Sequence, residues 1–204
     1  MKKAKLFLIT ICAAAITNNI NAQSFEQGTM VTTLGYGFPS FGKAWLNTVD
    51  ETTYGNYNAT GFGPLHFRFE YGVLDKLGVG LNVNFNTFGH EFDYETYDNN
   101  FDPITYTYSE KITAVNFIVH VKGHWVTNDK LDLYSGIGFG YSIWNYTSDS
   151  NDPYYNFDSF SSPIVVGIDI TGIGLRYYFT DNIGAYAEVG YAKSIMQVGV
   201  AAKF

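Results

Sequence analysis

Hydrophobic and polar residues alternate with a period of two along most of this chain. The clearest run, 77–89, sets Leu77, Val79, Leu81, Val83 and Phe85 against Gly78, Gly80, Asn82, Asn84 and Asn86. In an extended strand these two sets lie on opposite faces. Seven further segments, 28–38, 61–73, 110–126, 131–146, 164–179, 183–192 and 195–204, follow the same rule, so the pattern predicts eight strands. In the second of them, "HFRFEYG" (66–72), His66, Arg68 and Glu70 share one face while Phe67, Phe69 and Tyr71 share the other. Two environments satisfy such a strand. Either the aromatics fill a core and the charges meet water, or the aromatics meet lipid and the charges line an enclosed lumen.

The connections discriminate. Those after strands two, four and six are the short turn sequences "LDK" (74–76), "TND" (127–129) and "TDN" (180–182), whereas 39–60, 90–109 and 147–163, after strands one, three and five, are long. A soluble sandwich has no need to gather its long loops at one end; an outer-membrane barrel does so habitually. The strands also reach the roughly 9–11 residues required to cross a bilayer at a tilt. The expected fold is therefore all-β, an eight-stranded antiparallel up-and-down transmembrane β-barrel. Within the sixth strand Ile164, Val166, Ile168 and Ile170 share one parity and Ile173, Leu175, Tyr177 and Phe179 the other. A bulge near Thr171-Gly172 keeps both rows outward and turns Asp169 inward.

The ends and the composition agree with this reading. Residues 1–22 have the layout of a secretory signal peptide: basic "MKKAK", apolar "LFLITICAAAI" and a polar stretch ending at Ala22. The domain expected after cleavage is 23–204, which contains no cysteine and so has no disulfide framework. Losing Lys2, Lys3 and Lys5 moves the formal charge from −7 to −10, that is 9 basic against 19 acidic residues. So acidic a chain offers no basic patch for nucleic acid. No apolar run is long enough for a transmembrane helix.

The chain ends "VGVAAKF", with Met196, Val198, Val200, Ala202 and Phe204 alternating outward and stopping on an aromatic. This resembles the C-terminal strand signature of bacterial outer-membrane proteins, and "GLRYYFTDNIGAYAEVGY" (174–191) resembles the penultimate hairpin of the small outer-membrane β-barrel family of OmpA/OmpX type. The resemblance implies a place in the outer membrane of a Gram-negative bacterium, contact with its lipid, and recognition of Phe204 by the barrel-assembly machinery during biogenesis.

Eight strands enclose an interior that side chains just fill. The residues expected there are His66, Arg68, Glu70, Asn82, Asn84, Asn86, His120, Lys122, His124, Asp132, Tyr134, Arg176, Tyr178, Tyr186 and Glu188. The turn at 127–129 predicts His124 opposite Asp132 and Lys122 opposite Tyr134; the turn at 180–182 predicts Arg176 opposite Tyr186 and diagonal to Glu188. Opposite charges across strands neutralise a closed lumen.

Catalysis finds no support in the residues, and no cofactor is implied. The lipid A deacylase-like barrels carry a His-x-Ser pair, but here His66, His90, His120 and His124 precede Arg68, Phe92, Lys122 and Val126 at that spacing. His120 and His124 share a strand face but stand about 13 Å apart, too far to chelate one metal. In "HEFDYETYDNNFDP" (90–103), Glu91, Asp93, Glu95, Asp98 and Asp102 form a weak Ca²⁺ candidate without EF-hand spacing. In "DPYYNFDSF" (152–160), Tyr154, Tyr155, Phe157 and Phe160 either present a partner surface or brace the barrel mouth.

The reading is an outer-membrane barrel with its lumen closed by a polar side-chain network and a structural or loop-mediated surface role, toward an extracellular ligand or partner. Two alternatives stand beside it: a narrow channel or transporter for small solutes, hydrophobic ones included, and a secreted lipocalin-like binder, the same barrel turned inside out.

Overall fold

The computed structural model describes residues 23–48, 55–98, 100–156, 159–191 and 194–204, and for 55–56 and 162–165 the backbone alone. The expected signal sequence, and Phe157 among the candidate surface aromatics, lie outside the described residues. Eight strands follow in order: β1 (Met30–Ser40), β2 (Gly55–Leu74), β3 (Leu77–Tyr97), β4 (Pro103–Thr127), β5 (Leu131–Ser150), β6 (Ser159–Tyr178), β7 (Ile183–Tyr191) and β8 (Ser194–Lys203). Each pairs antiparallel with the next, and β8 returns to β1, closing the barrel. A short helix, α1 (Phe41–Leu46), follows β1.

Period-two patterning sets the two faces. Leu81 is 43% exposed on the outside while the next residue, Asn82, is fully buried inside. The outward band continues through Phe67, Phe69, Val119, Phe139, Ile170, Leu175 and Val198, all exposed. Charged side chains fill the interior: His66, Arg68, Glu70, His120, Lys122, His124, Asp132, Arg176 and Glu188 are all buried. That interior overturns the inside-out alternative, because a lipocalin-like binder needs an apolar cavity. No described helix is long and apolar enough to cross a membrane.

The bulge in β6 falls where glycine permits it. Thr171 pairs with Gly190 and Ile173 with Val189, so Gly172 is the extra residue. Ile168, Ile170, Ile173 and Leu175 all stay outward, and Asp169 turns into the lumen, 5% exposed. The seam between first and last strands is pinned at the chain end: the Met30 N–H donates to the Phe204 carbonyl at 3.1 Å and the Phe204 N–H to the Met30 carbonyl at 2.9 Å. Both described ends meet at the short-turn side, where the Lys203 Nζ donates to the Gln23 carbonyl at 2.7 Å.

The long connections are shorter than the sequence pattern indicated. β3, β4 and β5 continue well past 89, 110 and 146, leaving 98–102 and 151–158 between strands. The pattern was hidden by a change of phase. Along β3 the outward apolar residues are odd-numbered as far as Phe85; beyond it the apolar residues Phe88, Phe92 and Tyr94 are even-numbered, on the face that carries Asn82 and Asn84 into the lumen. β4 and β5 change at the same level, from Val115 to Ala114 and from Ile143 to Trp144, positions that pair across the ladder. Below this level the outside is apolar; above it the outside is polar and the aromatics turn inward. That inversion is expected where a barrel passes from hydrocarbon into water.

Candidate functional site

The interior side chains form one connected ion network. Arg176 donates through Nη1 to Asp132 at 3.0 Å and through Nη2 to Glu70. His124 lies between the same two carboxylates, Nδ1 2.7 Å from Asp132 and Nε2 2.8 Å from Glu70. Only the imidazolium can donate at both nitrogens. Lys122 Nζ stands 3.9 Å from Glu70 and donates to Glu188 at 2.9 Å, which links the lower cluster to the upper one. Glu188 also accepts from Arg68 and, at 2.8 Å, from the Tyr134 hydroxyl. Arg68 reaches on to Gln197 at 2.6 Å and Asp169 at 3.4 Å, and Asn82 donates to Asp169 at 2.7 Å.

Taking His124 as the imidazolium, the cations Arg68, Lys122, His124 and Arg176 face the carboxylates Glu70, Asp132, Asp169 and Glu188. Such balance is what buried charge requires, since an unpaired ion in a dry interior costs several kcal/mol. The Tyr134 ring sits between two of the cations, with Lys122 Nζ 4.4 Å and the Arg176 guanidinium carbon 4.3 Å from its centroid. Gly174 makes room for that ring, for a Cβ there would run into it.

The sequence identified these lining residues, but several of its pairings differ. His124 lies opposite Tyr134, and Lys122 opposite Gly136, a displacement of two: the ladder opens with Thr127 opposite Asp132, three further on than a turn of 127–129 sets, and the bulge at Trp125 takes back one. The His124–Asp132 contact survives as a diagonal. Arg176 is opposite Tyr186 as expected, yet its carboxylates are Glu70 and Asp132 rather than Glu188. Glu188 instead serves Arg68 and Lys122. Tyr186 is buried against Gly35. His66 and His120 are buried but enter no ion pair among the described residues. Asn84, Asn116 and Ser142 make a separate polar chain toward the outer end.

One lumen element was missed. Phe25, ahead of β1, is wholly buried and stacks on the His124 ring, centroids 3.5 Å apart and nearly parallel. Ser24 anchors it, its N–H donating to the Asn128 carbonyl and its Oγ to the Leu131 carbonyl, each at 2.8 Å. The segment closes the short-turn end of the lumen beneath the ion network. A lone Phe among polar residues, just after the expected signal sequence, carries no periodicity, so no sequence signal marked it.

The Ca²⁺ candidate is corrected. Glu91, Asp93 and Glu95 lie in β3, not in a loop. Asp93 accepts from the Thr107 hydroxyl at 2.9 Å. Asp98 caps the turn, accepting the N–H groups of Asn100 at 2.7 Å and Asp102 at 2.9 Å, and these bonds hold its carboxyl below the usual range. No group of three potential ligands occurs among the described residues.

The outer end is filled and rimmed with aromatics. Inside the extended strands Tyr57 stacks on His90, His90 on Phe92, and Phe92 on Tyr108, with centroids 5.4–5.8 Å apart. The Tyr108 hydroxyl donates to Asp152 at 2.8 Å, and that carboxylate pushes the phenol up to about 12. Tyr155 packs edge-on against Tyr108, and Phe160 stacks on Tyr146. Those two brace the mouth, whereas Tyr154 is 88% exposed between β5 and β6, and Phe101, Tyr97 and Trp45 are exposed as well.

Several solved structures are similar to this chain. The N-terminal β-barrel domain of Pseudomonas aeruginosa OprF is 16% identical, covering 88% of this chain and 99% of that one, with a TM-score of 0.42. Ail, the attachment invasion locus protein of Yersinia pestis, is 14% identical over 87% of this chain and 99% of its own, TM-score 0.39. Ail in complex with the heparin analogue sucrose octasulfate gives 13%, 87%, 99% and 0.44. No protein-family model matches the sequence, and no curated protein matches it either.

Proposed function

We propose that this chain is an integral outer-membrane barrel whose lumen is closed and whose role is carried by its aromatic outer tip, toward an extracellular ligand or surface partner. The observation that carries the closed lumen is the continuous ion network from His124 to Asp169, in which every cation meets a carboxylate and no single-sign ring remains to select ions. With its interior plugged, the barrel leaves its outer end as the part able to meet an extracellular partner. The outer faces of β3 and its turn carry Glu91, Asp93, Glu95 and Asp98, so a cationic or neutral partner suits them better than a polysulfated one.

Planar-bilayer recording separates this reading from the channel alternative. The purified protein is expected to show no steady conductance above membrane leak; sustained ion-selective openings would promote the channel. The surface role is tested with the barrel kept intact: replacing Tyr97, Phe101 and Tyr154 together by serine is expected to abolish binding of the folded protein to cells or matrix. Unchanged binding would move the role elsewhere.

Phe204 is proposed to serve assembly. Its backbone already closes the β1 seam, while its ring is the terminal outward aromatic of the last strand. Deleting Phe204 is expected to lower the heat-modifiable barrel in outer-membrane fractions while refolding into detergent persists. Equal membrane levels of variant and parent would argue against that role.

A further inference from the structure

A cavity of about 530 Å³ opens through the barrel wall at the level where the apolar face changes sides. Its inner wall is built from lumen-facing residues, Asn86 and Phe88 on β3, Ala114 on β4 and Trp144 on β5; its outer lip is Val166 and Ile168 of β6, which belong to the outward apolar band, with Tyr191 at the tip of β7. Helix α1 roofs it with Phe41 and Trp45. Gly42 lets the helix settle directly on the Phe88 ring, and Phe41 packs on Tyr191 with centroids 5.0 Å apart.

The wall is open there because the strands differ in length. β6 pairs with β7 only as far as Ile170 with Tyr191, and β7 ends at that residue. Above it, β6 runs on to Ser159 with no neighbour on that side among the described residues. Alternate backbone N–H and C=O groups of that stretch therefore point into the gap. A bare edge in hydrocarbon costs several kcal/mol for each unsatisfied group, so the gap belongs at the interfacial rim of the membrane, where lipid headgroups and water meet it. Val166 and Ile168, apolar and outward, put its lower margin in contact with acyl chains.

We infer that this opening is a lateral lipid-binding site, and that its occupant is one acyl chain of a surrounding membrane lipid, entering sideways between β6 and the β7 tip. The inference rests on the barrel standing in a membrane, as proposed above. Three features select this occupant. The cavity reaches the outward apolar band through Val166 and Ile168. Its volume falls in the range of small-molecule sites, about 300–1,000 Å³, and its lining is aromatic and aliphatic. No charged residue lines it among those described, so it offers no counter-ion to a free fatty-acid carboxylate, and the chain belongs to an esterified or amide-linked lipid. Besides the Trp144 indole and the Tyr191 hydroxyl, the polar side chain of its lining is Asn86, 3% exposed, whose Oδ1 meets no hydrogen-bond donor among the described residues. A buried acceptor left unpaired calls for a donor; a hydroxyl on the entering chain supplies it.

Brominated lipids test this directly, because bromine on an acyl chain quenches tryptophan it touches. The full-length protein is reconstituted in vesicles of phosphatidylcholine brominated along its acyl chains, as Trp45→Phe/Trp125→Phe, which leaves Trp144, and as Trp45→Phe/Trp144→Phe, which leaves Trp125 on the outward face. Trp125 reports membrane insertion alone: if it is not quenched, the membrane reading falls and the site with it. With Trp125 quenched, Trp144 is expected to lose most of its emission although its side chain is on the lumen face. Ala114→Phe, which fills the cavity, is expected to restore Trp144 emission and leave Trp125 unaffected. An unquenched Trp144 overturns the site, as does quenching that survives Ala114→Phe in a barrel of normal heat-modifiability, for it would then pass through the wall from annular lipid. Should Ala114→Phe fail to fold, Asn86→Leu with deoxy and hydroxyl-bearing acyl detergents takes its place. A preference of the parent for the hydroxyl-bearing chain, lost in Asn86→Leu, supports the site, and no preference in the parent removes it.

Discussion

Arginine at Leu81 is expected to destabilise the barrel by about 2–4 kcal/mol, the range for a cation on the lipid face near mid-depth. Leu81 is outward, flanked in the ladder by Phe69 and Val119, themselves exposed apolar residues. An arginine there has no partner and must either stay in hydrocarbon or drag water inward. Leu81→Ala should cost far less, because lipid flows into the space a truncated surface residue leaves, whereas a packed protein core keeps the cavity. Urea titrations of the protein folded in lipid vesicles measure both. An unchanged midpoint for Leu81→Arg would mean that this face stands in water, and the outer-membrane reading would fail.

The same strand shows what the sequence could and could not convey. From Leu77 to Phe85 each side chain's face was readable, since lipid on one side and a polar lumen on the other impose opposite demands on alternate residues. Above Phe88 the demands reverse, so the apolar set changes parity, and a strand under new rules resembled an acidic loop. The chain of cross-barrel partners was equally hidden. Arg68 meets Glu188 across 120 residues and Arg176 meets Glu70 across 106, spans that adjacent-strand pairing does not describe. Long side chains in a narrow barrel reach over the lumen, beyond the neighbour on the sheet. The β4–β5 register was displaced in two steps, the ladder opening with Thr127 opposite Asp132 and the Trp125 bulge taking back one residue, and nothing in "GHWVTND" specifies either. The Gly172 bulge was legible for the opposite reason: without it, Asp169 would face lipid.

The interior network predicts the second large effect. Glu188→Ala is expected to lower stability by about 3–5 kcal/mol, the usual result of stranding a buried ion by removing its partner. The carboxylate serves two cations at once, Arg68 through Oε2 and Lys122 through Oε1, and also accepts the Tyr134 hydroxyl. Without it Arg68 retains Asp169 at 3.4 Å and Gln197 at 2.6 Å, but Lys122 is left with Glu70 at 3.9 Å, which Arg176 and His124 already engage. The loss should thus fall on Lys122 more than on Arg68, and on Arg176 hardly at all. That ordering has a consequence in a double-mutant cycle. Lys122→Met should rescue Glu188→Ala by removing the stranded ammonium, whereas Arg176→Met should add its own cost to the first. Unfolding titrations of the parent, the three single variants and the two double variants decide. Equal behaviour of the two methionine variants would show the lumen to be wet enough to solvate a loose charge, and a wet lumen is the first requirement of the channel that the closed network argues against.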